Sequence, residues 1–265
     1  MKKIFAAMLC VAVLLCMGAA PAEDYAIATD NYFRPFVFTN EAGELVGIDI
    51  DLMAAIAEDQ GFTYTIDPLG WDDAIEACQE GEKDGMIAAA SITDARKAEG
   101  WIFSDGYFSA TQSMAVAEGS DAIKSFEDLK GHKVAVKDDT LSEEYVLSLE
   151  EQYGFKVKPD DDDEAKKEPY DIEIRDYDDS LQVYEAVIGG ECEACYDDTP
   201  VLTDYIKSGG VLLQMVEGTA NEGAEYGFVV FSPDKQELID KFNAGLANVK
   251  TSGKYDEILA KYLGE

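Results

Sequence analysis

The sequence predicts an α/β protein made of two similar units, on three observations. Short apolar strands alternate with helical stretches over the first ninety or so residues; the alternation lapses at an irregular aromatic passage, residues 103–108, and then restarts; and a last strand-helix unit near the C-terminus finds no partners in the second half. Such alternation builds sheets from parallel strands joined by right-handed helical crossovers.

The elements follow in order. Residues 24–29 form an apolar strand, ended by the turn and aromatic residues from Asp30 to Phe36. Residues 36–38 and 45–47 flank Asn40-Glu41-Ala42-Gly43, a hairpin signal. From Ile48 the apolar spacing turns helical through Leu52 and Ala55/Ile56 to Asp59, with Gly61 as the stop. Phe62, Tyr64 and Ile66 alternate as a strand, 71–79 is a helix closed by Gly81, and 85–90 is a buried strand. The second unit reads strands at 114–117, 133–136, 170–174 and 193–196, with helices at 141–151, 180–188 and 201–207. A strand at 226–231 and amphipathic helices at 235–250 and 255–263 complete the chain; the last helix has Tyr255, Ile258/Leu259 and Tyr262 on one face.

Composition excludes several classes of partner. The chain carries 55 acidic and 21 basic side chains, a net charge of −34, which argues against nucleic acid and anionic lipid. Residues 1–22 read as a secretory signal: Met1-Lys2-Lys3, an uncharged apolar run, then Ala20-Pro21-Ala22 before the first acids. Cleavage after Ala22 and an exported protein, periplasmic or extracellular, are expected. Cys16 offers lipid anchoring as the alternative, although Leu15 fits such a site poorly. No later stretch is long and apolar enough to cross a bilayer.

Cys78, Cys192 and Cys195 remain after cleavage. Cys192-Glu193-Ala194-Cys195 has redox spacing, but it leads into a strand instead of opening a helix, so a packed or locally bridged pair is expected. Residues 158–169, acidic and bracketed by prolines, read as a solvated excursion without the alternating acids and glycine of a calcium loop. His132, the lone histidine, stands outside any cluster, and no cofactor or metal site is read.

The stretch Ser91-Ile92-Thr93-Asp94-Ala95-Arg96 directly follows the buried strand. An arginine fork and two hydroxyls on one turn suit a small carboxylate. The competing reading is a helix capped by Thr93 with Arg96 as a surface charge.

Taken together, a collinear series resembles the extracellular solute-binding proteins of polar amino-acid ABC transporters, the family 3 class, most closely those for glutamine and for lysine, arginine and ornithine. The series is Ala28-Thr29-Asp30 with Phe33-Arg34-Pro35-Phe36, Gly47-Ile48-Asp49-Ile50-Asp51-Leu52, Ser91 to Arg96, Phe103-Ser104-Asp105-Gly106-Tyr107, Asp128-Leu129-Lys130-Gly131, Asp197-Asp198-Thr199-Pro200 and Gly253-Lys254-Tyr255-Asp256. The resemblance implies the two-lobed periplasmic-binding-protein type II fold, with mixed β-sheets flanked by helices and two crossover hinge strands. Lobe 1 is expected at 23–108 plus 226–265 and lobe 2 at 109–225, with the crossings at 107–111 and 222–226.

It also implies a ligand set. Arg96 with Ser91 and Thr140 would hold an amino acid's carboxylate, Asp198 its ammonium, Phe33 and Trp71 would sandwich its side chain, and Asp30 would meet the polar tip. Ala89 and Lys137 complete the set. Asp138-Asp139 stand before Thr140 where relatives have small residues, and Asp197 stands where the glutamine-binding relative has histidine, so a more acidic pocket is expected. The implied function is capture of a polar or cationic L-amino acid, glutamine or else arginine or lysine, by a monomer that delivers it to an ABC transporter permease in the membrane. An exported cyclohexadienyl or arogenate dehydratase on the same fold is the enzymatic alternative.

Overall fold

A computed structural model describes residues 24–159, 170–209 and 212–264. The signal segment with Cys16, and residues 160–169 of the acidic excursion, lie outside the described residues.

The chain begins with β1 (Asp24–Thr29) and a short hairpin, β2 (Phe38–Thr39) and β3 (Leu45–Val46). It then enters α1 (Ile48–Gln60) through Gly47. That glycine has φ 141°, and a Cβ there would stand 1.9 Å from the Phe36 carbonyl oxygen, so no other residue fits. Next come β4 (Thr63–Pro68), α2 (Trp71–Gln79), β5 (Gly85–Ser91), the single turn α3 (Asp94–Ala98), β6 (Ile102–Phe103) and β7 (Phe108–Ala110). The second alternation supplies β8 (Gln112–Ala117), β9 (His132–Lys137), α4 (Leu141–Tyr153), β10 (Val157–Lys158), β11 (Ile172–Tyr177), α5 (Ser180–Ile188), β12 (Ala194–Asp198), α6 (Thr199–Lys207) and β13 (Leu213–Met215). The chain returns through β14 (Ala224–Val230) to α7 (Gln236–Thr251) and α8 (Lys254–Leu263).

Two six-stranded sheets result, one in each lobe. The first has the order β4-β1-β5-β14-β6, with β7 also on β14; the second is β10-β11-β9-β12-β8-β13. Alternation alone predicts parallel sheets, and β4, β1 and β5 are parallel, as are β10, β11, β9 and β12. The strands next to the crossings run the other way: β14 is antiparallel to β5 and β8 to β12. They have reversed direction because the chain passes between lobes there, without a helical crossover. Both sheets are therefore mixed.

β5 is buried along its whole length, as expected of a strand covered on both faces. Leu52 and Ile56 of α1 pack with Phe242 and Leu246 of α7 over this sheet. The face expected of α1 is confirmed at Ile48, Leu52 and Ile56, whereas Asp59 is exposed and bonded by Asn248. The second core gathers Val134, Val136, Val146, Ile172, Ile174 and Tyr196. Cys78, Cys192 and Cys195 are free and buried; the packed reading of the Cys192/Cys195 pair holds and the bridged one does not. Burial pushes the Cys192 thiol up to about 11 and Cys78 to about 12, which leaves little thiolate for redox chemistry.

The two crossings lie side by side. β7 and β14 pair antiparallel, Phe108 with Tyr226, Ser109 with Glu225 and Ala110 with Ala224. Gly223 starts the return at φ 79°, where a Cβ would lie 2.4 Å from the Ala110 carbonyl oxygen. Gly223→Ala is expected to cost at least ~1–2 kcal/mol for the left-handed backbone alone, plus the steric clash, and to lower the melting temperature measured by circular dichroism.

Candidate ligand-binding cleft

The chemistry-bearing residues are gathered by strand ends. β1 runs out at Thr29 into Asp30, β5 ends on Ser91, β9 on Lys137 and β12 on Asp198. Parallel strands in both sheets point their carboxyl ends at one crevice, where open α/β sheets bind ligands. His132 opens β9 at its other end, away from this crevice and 3.8 Å from Glu193.

A cavity there is lined from the first lobe by Asp30, Phe33, Trp71, Ala88, Ala89, Ser91 and Arg96, and from the second by Lys137, Thr140, Leu141 and Asp198. Nine of the ten residues expected from the sequence meet around it. The tenth, Asp197, does not, and its placement at the ligand is corrected. Consecutive strand residues face opposite sides, so with Asp198 toward the cavity Asp197 turns behind it. There its Oδ2 accepts the Tyr184 hydroxyl at 2.6 Å and its Oδ1 the Asp198 N–H at 2.7 Å.

Arg96 is only 4% exposed, so it is no surface charge. Thr93 nevertheless caps the helix, its hydroxyl oxygen accepting the Arg96 N–H at 3.1 Å. One turn thus serves as cap and as cation site. The guanidinium donates to the carbonyls of Ser91 (3.2 Å) and Asp139 (2.9 Å) and lies 5.2 Å and 4.9 Å from the ring centres of Trp71 and Trp101. Burial lowers its pKa, while Glu144, Asp198 and Asp139 act to keep its charge.

Asp198 is the opposing acid. Its Oδ1 accepts from the Tyr226 hydroxyl at 2.6 Å and from Gln112 Nε2. Burial, then the neighbouring Asp197, push its carboxyl up to about 7. Across the cavity Lys137 Nζ is ion-paired to Asp30 Oδ2, both side chains being almost fully buried. The ammonium lies 5.2 Å from the Phe33 ring centre and 5.7 Å from that of Trp71.

The segment before α4 closes the second side. Asp139 has φ 51°, a left-handed conformation uncommon outside glycine. Its side chain is exposed while its carbonyl accepts from Arg96 and, at 3.2 Å, from Trp71 Nε1. The Asp139 carboxylate is thus not part of the cavity lining. The Thr140 hydroxyl donates to the Lys137 carbonyl at 2.7 Å, leaving the first turn of α4 without a side-chain cap. Thr140 and Leu141 begin that turn at the cavity wall, a setting suited to an anion. Outside the cavity Arg34 Nε bonds Asp204 at 2.9 Å, a further link between lobes.

Sequence reasoning did not single out Ala88, Leu141, Trp101, Gln112 or Tyr226. Only Tyr226 carried a usable signal, as the first residue of the strand expected at 226–231, which in the structure begins at Ala224.

Two α/β lobes joined by paired crossings and closed over a buried, charge-lined cavity define a solute-binding protein. Over residues 25–265 the chain matches the bacterial extracellular solute-binding proteins, family 3, and it belongs to that family. It is 29% identical to the probable histidine-binding protein of Neisseria gonorrhoeae over 281 aligned positions, which cover 100% of this chain and 97% of that one. Among solved structures it is similar to an ancestral arginine-binding protein bound to arginine, at 33% identity and TM-score 0.77, with 90% of this chain and 97% of that one covered. The complex of an ancestral arginine-binding protein with glutamine gives 33% identity and TM-score 0.77, covering 91% and 98%. These relatives are binding proteins, and the chain is a binding protein, not an enzyme.

Proposed function

We propose that the cleft captures a free L-amino acid with an uncharged polar side chain, glutamine foremost, for delivery to an ABC transporter permease. The observation that carries this reading is the Lys137–Asp30 ion pair between Phe33 and Trp71. A carboxamide has one acceptor and two donors, so its oxygen suits Lys137 and its NH₂ suits Asp30. A ligand guanidinium or ammonium in the same place would meet the Lys137 charge. At ~5 Å and an effective dielectric of ~20, that repulsion is ~3 kcal/mol.

At the other end Arg96, with Ser91 and the first turn of α4, holds the carboxylate, and Asp198 holds the ammonium. Each buried ligand charge then has a partner. Asp30 itself supports a second reading, arginine or lysine, which requires Lys137 to withdraw from it. The relatives' names for arginine and histidine, and the ancestral protein's complexes with arginine and with glutamine, support both chemistries on this fold. Lobe 1 is taken as 23–108 plus 226–265 and lobe 2 as 109–225, with the β7–β14 ribbon as the hinge of a monomer. The protein acts outside the cytoplasm, periplasmic or extracellular, freed of residues 1–22, with a lipid anchor at Cys16 as the alternative form.

Calorimetric titration with the twenty amino acids tests the reading: glutamine should bind most tightly, and a folded protein that binds none of them sinks it. Arg96→Ala should lose ~100-fold or more in affinity, since it leaves a buried carboxylate unpaired. Lys137→Met should weaken glutamine while gaining arginine and lysine, because Asp30 is then free to pair with them; unchanged selectivity would return the choice to the cationic ligands. Affinity should also fall as pH drops from 8 to 5. Below about 7 Asp198 carries a proton that it must release to pair with the ammonium, a loss of up to ~10-fold per pH unit in titrations across that range.

A further inference from the structure

The floor of the cleft is a break in a β-ladder. β14 pairs with β5 at Tyr226–Ser91 and Gly227–Ala90, then resumes only at Val229–Met86. Ile87, Ala88 and Ala89 thus face Phe228 alone, a bulge of the kind that re-aims a strand beside a site. Ala89 takes φ 49°, in the left-handed region, and Ala88 and Ala89 both line the cavity. A bulge frees a backbone amide, and a buried N–H must find another partner. The Ala89 N–H finds two, Asp49 Oδ2 at 2.9 Å and the Tyr107 hydroxyl oxygen at 3.0 Å.

We propose that Asp49 and Tyr107, neither of which lines the cavity, are positioning residues for solute capture: they hold the Ala89 bulge in the shape that the ligand meets. Asp49 sits fully buried in the first turn of α1, and its Oδ1 has no hydrogen-bond partner among the described residues. Burying a carboxyl so incompletely satisfied is costly, which points to what its other oxygen does at Ala89. Tyr107 fixes the same amide to the hinge. Its own N–H donates to the Tyr226 carbonyl at 2.9 Å, and its carbonyl accepts the Tyr255 hydroxyl at 2.5 Å. Tyr226 in turn bonds Asp198, so the floor and the proposed ammonium site share one anchor.

The inference rests on the cleft being an amino-acid site, and the test separates the two. Calorimetry with glutamine, arginine and lysine would compare wild type, Arg96→Ala, Asp49→Asn, Asp49→Ala and Tyr107→Phe, each checked for folding by circular dichroism. Asp49→Asn keeps a carbonyl oxygen for the Ala89 amide and should stay within ~3-fold of wild type, whereas Asp49→Ala and Tyr107→Phe should each lose ~10-fold or more, as befits a lost buried hydrogen bond. The added change Ala89→Gly, which tolerates positive φ without strain, should recover part of the Asp49→Ala loss. Asp49→Ala with wild-type affinity, or Asp49→Asn as damaging as Asp49→Ala, overturns the assignment while the amino-acid reading stands. Should Asp49→Ala fail to fold, Tyr107→Phe decides: unchanged affinity overturns the assignment and a ~10-fold loss upholds it. Absence of amino-acid binding by the wild type overturns the underlying reading, and the assignment falls with it.

Discussion

Charge buried at the seam between lobes is the constraint on which this molecule turns. Lys137 ends a strand of one sheet and Asp30 follows a strand of the other, and both are almost completely out of water. Breaking a buried pair by removing one partner typically costs ~3–5 kcal/mol, because the remaining charge has nowhere to go. Neither lobe carries both halves, so the paired state exists only when the lobes meet. Arg96 repeats the pattern: its guanidinium reaches the Asp139 carbonyl of the opposite lobe.

The same logic links closure to capture. A zwitterion brings one charge of each sign, and the cavity presents Arg96 on one lobe and Asp198 on the other. Asp198 is oriented by Gln112, just past the first crossing, and by Tyr226 on the second. One of the groups that aim the acid, Tyr226, therefore belongs to a crossing strand, and the other, Gln112, starts β8 directly after β7. On the proposed reading, ligand binding and hinge position would be coupled through these hydrogen bonds.

Local backbone rule-breaking is concentrated at this site. Among the described residues other than glycine, Ala89 and Asp139 are those with positive φ, one on each side of the cavity. Both place backbone groups where side chains could not reach, the Ala89 amide toward Asp49 and Tyr107, the Asp139 carbonyl toward Arg96 and Trp71. Each costs ~1–2 kcal/mol relative to ordinary backbone and persists because its surroundings hold it.

Most of the architecture was legible in the chain. Apolar periodicity located helices such as 71–79 and 180–188 to the residue, and the restart of alternation located the second lobe. The short strands β6, β10 and β13 were not legible, since two or three residues carry no period. Residue type by itself marked Ser91 to Arg96 as suited to a carboxylate, and the collinear resemblance implied that Arg96, Asp30, Asp198 and the aromatics serve one site. Tertiary structure decided the rest. It turned Asp198 inward and Asp197 behind it through strand alternation, moved the Asp139 carboxylate outward by a left-handed turn, and gave Asp30 to Lys137. Pairing across lobes depends on where distant strand ends meet, and that is a property of the folded chain, not of any stretch of it.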